Sequence, residues 1–411
     1  MAGPLPLHGL PSASALTRPR PAPPSGARFA LFAKGFRPFF FLAALSAAAL
    51  VPLWLLVLAG IVRPASHFDP ATWHAHEMIF GFTTAVVAGF LLTAVGNWTQ
   101  RETATGLLLG SLCALWALGR AAMSTSVLPP GVVAVVDLSF LPALAIVLAR
   151  PLLAANNRRN FVMLGLLGAL FAANAMTHAG ALGSAPGWER RGGLVAVDVI
   201  VVLMLIIAGR VVPMFTRNAT RREEIRSIPA LDALAVGSMA ALAVADVFTT
   251  PPPLVVAALS GAAAAFGAAR AVTWGSRHTL RVPLLWILHV GYLWIPIGLA
   301  LRALGAAAGG VYALMATHAL TAGAIGALTL GMMARVSLGH TGRPLEAPRP
   351  VAWAFAILTA GAAVRVAAPL APERYFLALA LAGGLWAAAF AVYAVAYAEI
   401  LVSPRADGRP G

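Results

Sequence analysis

Residues 73–95 read WHAHEMIFGFTTAVVAGFLLTAV, and this stretch joins two kinds of sequence that differ sharply in chemistry. Its first part holds two histidines, a glutamate and a methionine, all of which can carry a charge or bind a metal. Its second part, from Thr83 onward, is free of charged residues and largely apolar. The role of the polar groups therefore depends on what solvent surrounds the rest of the chain.

The composition indicates a membrane protein. The chain has 411 residues, of which 60% are hydrophobic and 10% charged, and its mean hydropathy is +0.84. Soluble domains are about 25% charged, and a helix needs roughly 20 apolar residues to cross a bilayer. A transmembrane β-barrel would show alternating segments of about ten residues instead of continuous apolar runs. We predict an all-α polytopic membrane protein with twelve spans, numbered 1 to 12, at residues 42–62, 77–97, 104–123, 131–150, 161–181, 192–212, 229–249, 253–273, 282–303, 309–333, 350–370 and 377–401.

The basic residues predict the orientation of these spans. With the N-terminus inside, the outer side holds only seven of the 29 lysines and arginines, which are Arg63, Arg120, Arg190, Arg191, Arg302, Arg365 and Arg374. Cytoplasmic loops are enriched in Lys and Arg, so both termini are expected in the cytoplasm. The net charge of +15 is spread over separate loops rather than one face, which predicts a lipid bilayer and no nucleic acid as partner.

The chain divides into one large domain and two tails. Residues 1–28 are rich in Pro, Ala, Ser and Arg and lack the apolar core of a signal peptide, so we expect a disordered cytoplasmic tail. Residues 29–402 form a single transmembrane domain of twelve helices, and 403–411 a short cytoplasmic tail. The only cysteine, Cys113, excludes an internal disulfide, a four-cysteine metal site and covalent haem attachment.

Spans 2, 6 and 10 run in the same direction and share weak sequence features. Their inner ends read LLTAVGNWTQR, LIIAGRVVPMFTRN and TLGMMARVSLGHTGR. Spans 2 and 10 also share a histidine followed five residues later by glycine, at His76–Gly81 and His318–Gly323. These features predict three four-helix units, with chance likeness between short apolar segments as the alternative.

The two histidines of span 2 are expected to serve different sites. Asp69 and Pro70 are typical of a helix start, so the helix already includes His74 and His76. At about 100° per residue, these two side chains point to nearly opposite faces and cannot bind one metal together from a regular helix. His74 is expected to share its face with Glu77 and Met78.

Other histidines in the spans are candidate ligands, because ionisable groups inside a membrane usually face a cavity or cofactor. His318 has small neighbours, which would leave room for a flat macrocycle or for close helix packing. His289 is either a ligand or a hydrogen-bonded core histidine. His178 has Asn174 one turn earlier as a candidate hydrogen-bond partner.

Three aspartates lie in the outer halves of spans 4, 6 and 7, at Asp137, Asp198 and Asp246. They could form a relay for protons or ions, or they could pair with outer arginines such as Arg120 and Arg302. Outer arginines would also suit the propionates of a haem. The sequence leaves these alternatives open.

Five motifs resemble the NnrS family: GFRPFF, WHAHEMIFGF, VVAGFLLTAVGNWT, GRVVPMFTRN and THALTAGAIGALTLGMMARVSLGHTGRP. The likeness extends from about residue 30 to 400. It implies a multi-pass protein of the bacterial inner membrane that contains haem and copper. It also implies a role in the nitric oxide response and in protection against nitrosative stress, often alongside denitrification. It does not imply a defined reaction, so processing of nitric oxide or iron-nitrosyl species is an open question.

The fold also resembles subunit I of the haem–copper oxidases and nitric oxide reductases at a coarser level. That family has twelve spans and holds a low-spin haem between histidines of helices 2 and 10. The present sequence lacks its adjacent His-His pair, its histidines on spans 6 and 7 and its HxH motif on span 10. These departures argue against oxidase or reductase activity of the usual kind.

The combined expectations give a site hypothesis. A non-covalent b-type haem is expected between His76 and His318, with His74 and His289 as replacements. Copper is the expected second metal, because imidazole and thioether groups suit it. Its candidate ligands are His74, His76, Glu77, Met78 and His178. The expected function is haem-based binding or detoxification of nitric oxide. The alternatives are a haem-based sensor without turnover and a secondary transporter of a metal, haem or a small anion.

The orientation can be tested by labelling a single cysteine. In a Cys113→Ser background, His67→Cys is expected to react with a membrane-impermeant maleimide in intact cells, because the loop between spans 1 and 2 should face outward. Residue 278 lies in an inner loop, and His278→Cys is expected to react only after the cells are permeabilised. Reaction of position 67 from the cytoplasm alone would reverse the predicted topology.

Overall fold

The computed structural model describes residues 29–248 and 251–409, and this part of the chain is helical without strands. Twelve of its helices are long and apolar enough to cross a membrane, which confirms the predicted number. The spans, in order, are Phe36–Leu58, Pro70–Thr99, Gly106–Met123, Pro130–Ala154, Arg158–Ala181, Trp188–Thr220, Pro229–Val247, Pro253–Val272, Pro283–Ala308, Tyr312–His340, Arg349–Leu370 and Pro372–Val402. The predicted tail at 1–28 lies outside the described residues.

Three spans are not regular α-helices. Span 2 consists of an α-helix Pro70–His76, a π-helix Glu77–Thr83 and an α-helix Thr84–Thr99. Span 10 has the same order, with α-helix Tyr312–His318, π-helix Ala319–Ile325 and α-helix Gly326–His340. Span 4 is divided into Pro130–Leu138 and Phe140–Ala154. The remaining spans carry at most a short 3₁₀ turn at one end, at Arg158–Asn160, Ala368–Leu370 and Pro372–Arg374.

Span 2 begins earlier than the apolar run suggests. The carboxylate of Asp69 accepts hydrogen bonds from the backbone nitrogens of Ala71 at 3.0 Å and Thr72 at 3.1 Å, and Pro70 is the first helical residue. This cap satisfies two of the free N–H groups at the helix start. The predicted start at residue 77 was wrong because it followed hydropathy, whereas the predicted Asp69–Pro70 cap is confirmed.

Spans 2, 6 and 10 form the centre of the bundle. They contact one another, and the peripheral spans close around them with span 12 packed against span 1. The most apolar window of span 2 is 83% buried and that of span 6 is 72% buried, against 17% for span 1. The peripheral spans leave large apolar side chains such as Val135 and Val395 exposed, as a lipid-facing surface requires. This placement agrees with three four-helix units, but the units and the likeness to oxidase subunit I stay predictions.

Spans 5 and 6 approach each other closely at Gly192. A Cβ atom there would lie 2.5 Å from the carbonyl oxygen of Ala173 and 2.7 Å from the backbone nitrogen of Thr177. Backbone atoms cannot rotate away as a side chain can, so only glycine fits at this position. Small residues at helix contacts are a usual means of close packing in membranes.

Gly192→Ala is expected to lower the melting temperature of the purified protein, because overpacking a tight contact costs about 1–3 kcal/mol. A Cβ atom at the adjacent Gly193 would meet no atom within 4 Å, so Gly193→Ala is the matched control and should not destabilise. Thermal unfolding in detergent measures both variants. Equal melting temperatures would contradict the close approach of spans 5 and 6.

Candidate functional site

A cavity of about 820 Å³ opens within one half of the bundle. It lies toward the end opposite residues 29 and 409, which is called the far end below. Its wall is built mainly from spans 1, 2, 6 and 9 to 12. The ionisable residues on the wall are Asp69, His74, His76, Glu189, Arg190, Asp198, Arg302, His318 and Arg365. The wall also includes aromatic side chains, among them Trp54, Phe82 and Trp386.

His74 faces this cavity and is held by stacking. Its ring lies parallel to the indole of Trp54, with 4.5 Å between the ring centroids and 6° between the planes. Its Nδ1 atom is buried and has no hydrogen-bond partner in the described part of the chain. Met78, one turn later, lines the same cavity. Residues of both predicted faces of span 2 line this wall, since His76 and Phe80 line it as well.

His318 lies on the opposite span of the same cavity. Its Nε2 accepts a hydrogen bond from Nη2 of Arg365 at 2.5 Å, which requires a neutral ring with its proton on Nδ1. The other terminal nitrogen of Arg365, Nη1, is buried without a partner among the described residues. His74, His318 and Arg365 are close enough to one another to interact electrostatically. The cavity thus brings a histidine of span 2 and a histidine of span 10 together.

His76 belongs to a separate polar group, the His76 cluster, which consists of His76, Glu77, Arg120, Asp137, Asn174 and His178. Oδ2 of Asp137 is the shared acceptor. It lies 3.2 Å from Nε2 of His76, 3.0 Å from Nε2 of His178 and 2.8 Å from Nδ2 of Asn174. Nδ1 of His76 lies 3.1 Å from Oε1 of Glu77. Both ring nitrogens of His76 therefore face hydrogen-bond acceptors.

Arg120 balances the charge of this cluster. Its guanidinium donates to Oε1 of Glu77 at 2.6 Å and to Oδ1 of Asp137. Gly81 makes room for it, because a Cβ there would lie 3.2 Å from Cδ of Arg120. Arg120 and a doubly protonated His76 would together neutralise the two carboxylates. For Asp137, the structure thus shows pairing with Arg120, one of the alternatives that the sequence left open.

The predicted metal ligands divide between the two places. His76, Asp137 and His178 can each offer one ligand atom, and these atoms lie within 4.8 Å of one another. Two imidazoles and a carboxylate form a donor set that suits zinc, copper or iron. His74 and Met78 instead face the cavity. Glu77, expected on the face of His74, contacts His76 because its long side chain extends back to the preceding ring.

The shared His-to-Gly spacing of spans 2 and 10 corresponds to a shared backbone feature. His76 and His318 each immediately precede a seven-residue π-helix, and π-helical segments are frequent at functional sites. The glycines do not admit a cofactor as expected, because Arg120 packs against Gly81 and the indole of Trp294 against Gly323. Haem ligation by His76 and His318 stays a prediction.

His289 lies in the opposite half of the bundle. Its Nε2 is 2.9 Å from Oγ1 of Thr216, and its Nδ1 is 2.9 Å from Oγ of Ser276. The ring is 4% exposed, and the cavity wall does not include it. These contacts match the hydrogen-bonded core histidine that the sequence left open.

A third polar group, the Asp198 triad, consists of Asp198, Asp246 and Arg302 from spans 6, 7 and 9. Nη1 of Arg302 donates to Oδ1 of Asp198 at 2.6 Å, and Nη2 donates to Oδ2 of Asp246. Asp198 and Arg302 line the cavity. Pairing with Arg302, one of the alternatives that the sequence left open, is what the structure shows, and the triad holds two carboxyl groups against one guanidinium.

Sequence reasoning missed three features of the site. It did not assign Arg365 to His318 or Trp54 to His74, because these contacts depend on how consecutive spans pack and rotate against each other. It also did not join Asp137 to His76 and His178. The available signal was that an arginine or aspartate within a span requires a partner in the same membrane half.

Arg120→Gln tests the His76 cluster. Removing the guanidinium leaves two buried carboxylates with too little positive charge, and breaking a buried ion pair costs roughly 3–5 kcal/mol. We expect a clearly lower melting temperature in detergent. The exposed pair Arg222–Glu224, with 3.0 Å between Nη1 and Oε1, supplies the control, and Arg222→Gln should have no measurable effect. Equal melting temperatures for the two variants would contradict the described network.

The comparisons with known proteins agree with the resemblance seen in the motifs. No match was found among curated proteins. The family model described as NnrS protein matches residues 30–405, which is nearly the whole chain and includes all twelve spans. The chain belongs to the NnrS family.

Proposed function

We propose that this protein binds haem in the far-end cavity and acts in the bacterial response to nitric oxide and nitrosative stress, often in cells that denitrify. We place the protein in the bacterial inner membrane with both termini in the cytoplasm. In this orientation the cavity lies in the outer leaflet. The observation that carries the proposal is a large cavity on which a histidine of span 2 and a histidine of span 10 meet.

The residues on the cavity wall fit a haem. A volume of about 820 Å³ lies within the range of roughly 300–1,000 Å³ usual for small-molecule and cofactor pockets. Buried polar atoms are normally hydrogen-bonded, yet Nδ1 of His74 and Nη1 of Arg365 lack partners among the described residues. Unsatisfied donors and acceptors around one cavity support a ligand with polar groups as well as a large apolar surface.

His74 and His318 are the residues proposed to hold the haem iron. His76 is the weaker choice for span 2, because both of its nitrogens are engaged with Glu77, Asp137 and Asn174. Nε2 of His318 is engaged with Arg365, and exchange of that contact for a metal bond would free the guanidinium. Arginines form strong paired hydrogen bonds with carboxylates, so Arg365 is suited to a propionate.

A bound haem would supply an iron centre able to bind nitric oxide in exchange for one of the two imidazoles, with the polarity and access of the cavity setting its behaviour. The chain's own contribution is to hold two imidazoles, to orient His74 by stacking on Trp54, and to present arginines to anionic groups. The proposal covers binding of nitric oxide or a related small molecule. It assigns no turnover.

The second metal implied by the family resemblance, copper, is proposed at His76, His178 and Asp137. The donor atoms are close enough to share one ion, and imidazole nitrogen is a usual copper ligand. Arg120 opposes this assignment electrostatically, since its guanidinium already pairs with Asp137. The haem and copper assignments therefore rest on different residues and can fail separately.

Purified protein is expected to contain haem with a Soret band that shifts on addition of nitric oxide. His74→Ala and His318→Ala should each strongly reduce the haem content, because each removes one proposed axial ligand. Pyridine haemochrome assay and optical spectroscopy measure this. A secondary transporter without a haem site would show no Soret band in the parent protein.

His178→Ala is the matched control, because His178 is a buried histidine outside the cavity wall. It should keep its haem and lose copper, as elemental analysis of the same preparation can measure. Wild-type haem content in both His74→Ala and His318→Ala would overturn the haem assignment. Loss of haem in His76→Ala with retention in His74→Ala would return the span-2 ligand to His76.

A further inference from the structure

We propose that Asp198 and Asp246 share one proton and form a proton-binding site on the wall of the far-end cavity. The side chain of Asp198 is completely buried, and that of Asp246 is 6% exposed. Their carboxyl groups come from spans 6 and 7 and meet at the guanidinium of Arg302 from span 9. The site is independent of haem, since neither aspartate contacts the proposed ligands.

The charges of this triad do not balance. One guanidinium can neutralise one carboxylate, and an uncompensated carboxylate in a low-dielectric interior takes up a proton rather than remain ionised. Two carboxyl groups that share one site bind that proton as a pair. The Asp198 triad therefore holds one negative charge in excess unless a proton is bound.

Two other ion-pair groups in the spans serve as comparisons, and in both the positive charges can equal the negative charges. Asp232 pairs one to one with Arg270, with 3.0 Å between Oδ1 and Nε. In the His76 cluster, Glu77 and Asp137 face Arg120 and a histidine whose two nitrogens both meet acceptors. Among these three groups, the Asp198 triad is the one that lacks a second cation.

The hydrogen bonds point to the same conclusion. Oδ2 of Asp198 is buried and has no N–H or O–H donor in the described part of the chain. The carboxyl group of Asp246 lies on the same guanidinium, because the two terminal nitrogens of Arg302 donate one to each aspartate. Carboxylates are acceptors only, so a proton between them is the donor that would satisfy both.

In the part of the chain that the structure describes, the ion pairs of the two carboxyl groups are both made by Arg302 of span 9. On span 6, Glu189, Arg190 and Arg191 lie about two to two and a half turns nearer the far end, where Arg190 is exposed and Arg191 has an interaction of its own. The other ionisable groups on the cavity wall are Asp69, His74, His76, His318 and Arg365. A small metal cation between the carboxylates is the competing occupant.

The position of Asp198 on the cavity wall indicates a function for this proton. Asp198 lines the cavity, so its proton is placed to reach a molecule bound there, or to leave when a cation enters. A reaction in which a ligand in the cavity takes up protons would consume the proton of Asp198. Asp198 would then act as a reservoir within the apolar wall rather than as part of a solvent-exposed surface.

Infrared spectroscopy of the detergent-purified full-length protein near neutral pH tests the proposal. A protonated carboxyl group gives a C=O stretching band that ionised carboxylates lack and that shifts in D₂O. We expect such a band in the parent protein and its loss in both Asp198→Asn and Asp246→Asn, since each leaves a single carboxylate balanced by Arg302. The haem content of each sample is measured in parallel, and the intensity of the band is expected not to follow it.

Asp232→Asn is the matched control and should keep the band, because Asp232 already has one counter-charge of its own, Arg270. Thermal unfolding supplies a second readout. Asp198→Asn and Asp246→Asn should melt no lower than the parent, whereas Asp232→Asn should melt lower because it leaves Arg270 buried without its counter-charge. Absence of the band in the parent, its retention in both variants of the triad, or its appearance only after removal of sodium ions would overturn the proposal.

Discussion

The structure depends on two arginines that meet the buried carboxylates of the bundle, since Glu77 and Asp137 pair with Arg120, and Asp198 and Asp246 pair with Arg302. Lipid offers no water to solvate an isolated ion, so an unpaired buried charge is strongly destabilising. Arg120 joins spans 2 and 4 through its two carboxylates, and Arg302 joins spans 6, 7 and 9 in the same way. These contacts hold together spans that apolar packing alone would leave free to slide, because lipid tails compete equally well for apolar surfaces.

The two histidines that precede π-helices show how one local pattern can serve two environments. In span 2, the glycine of the pattern admits Arg120, and His76 is drawn into an ionic cluster. In span 10, the corresponding glycine packs against the indole of Trp294, and His318 stays on the cavity with Arg365. The backbone feature is shared, but the partners come from other spans. A functional equivalence of the two histidines therefore does not follow from the shared pattern.

The polar groups of the far half form a connected arrangement around the cavity. His76, from the His76 cluster, and Asp198, from the Asp198 triad, both stand on the cavity wall. A charge that enters the cavity would act on both groups through a medium of low dielectric. Ligand binding, a metal at the His76 cluster and the protonation of the triad would then influence one another. This coupling links the two proposals without making either depend on the other.

The sequence by itself determined the class of protein, the number of spans and the family. A continuous apolar segment forms a helix in lipid, because only a helix satisfies all backbone hydrogen bonds within one segment. The sequence also placed the Asp69–Pro70 helix start, because a cap depends on local chemistry, and it offered pairing with Arg120 and Arg302 as one of two alternatives for the aspartates. Only the tertiary structure decided that His76 joins an ionic cluster while His74 keeps an unpartnered Nδ1 on the cavity wall. That division depends on the π-helical turns and on Trp54, Arg365 and Asp137, which lie on other spans than the histidines they contact. The sequence pattern of a helix predicts which residues share one of its faces. The side chains that complete a site come from several spans and meet only when those spans pack.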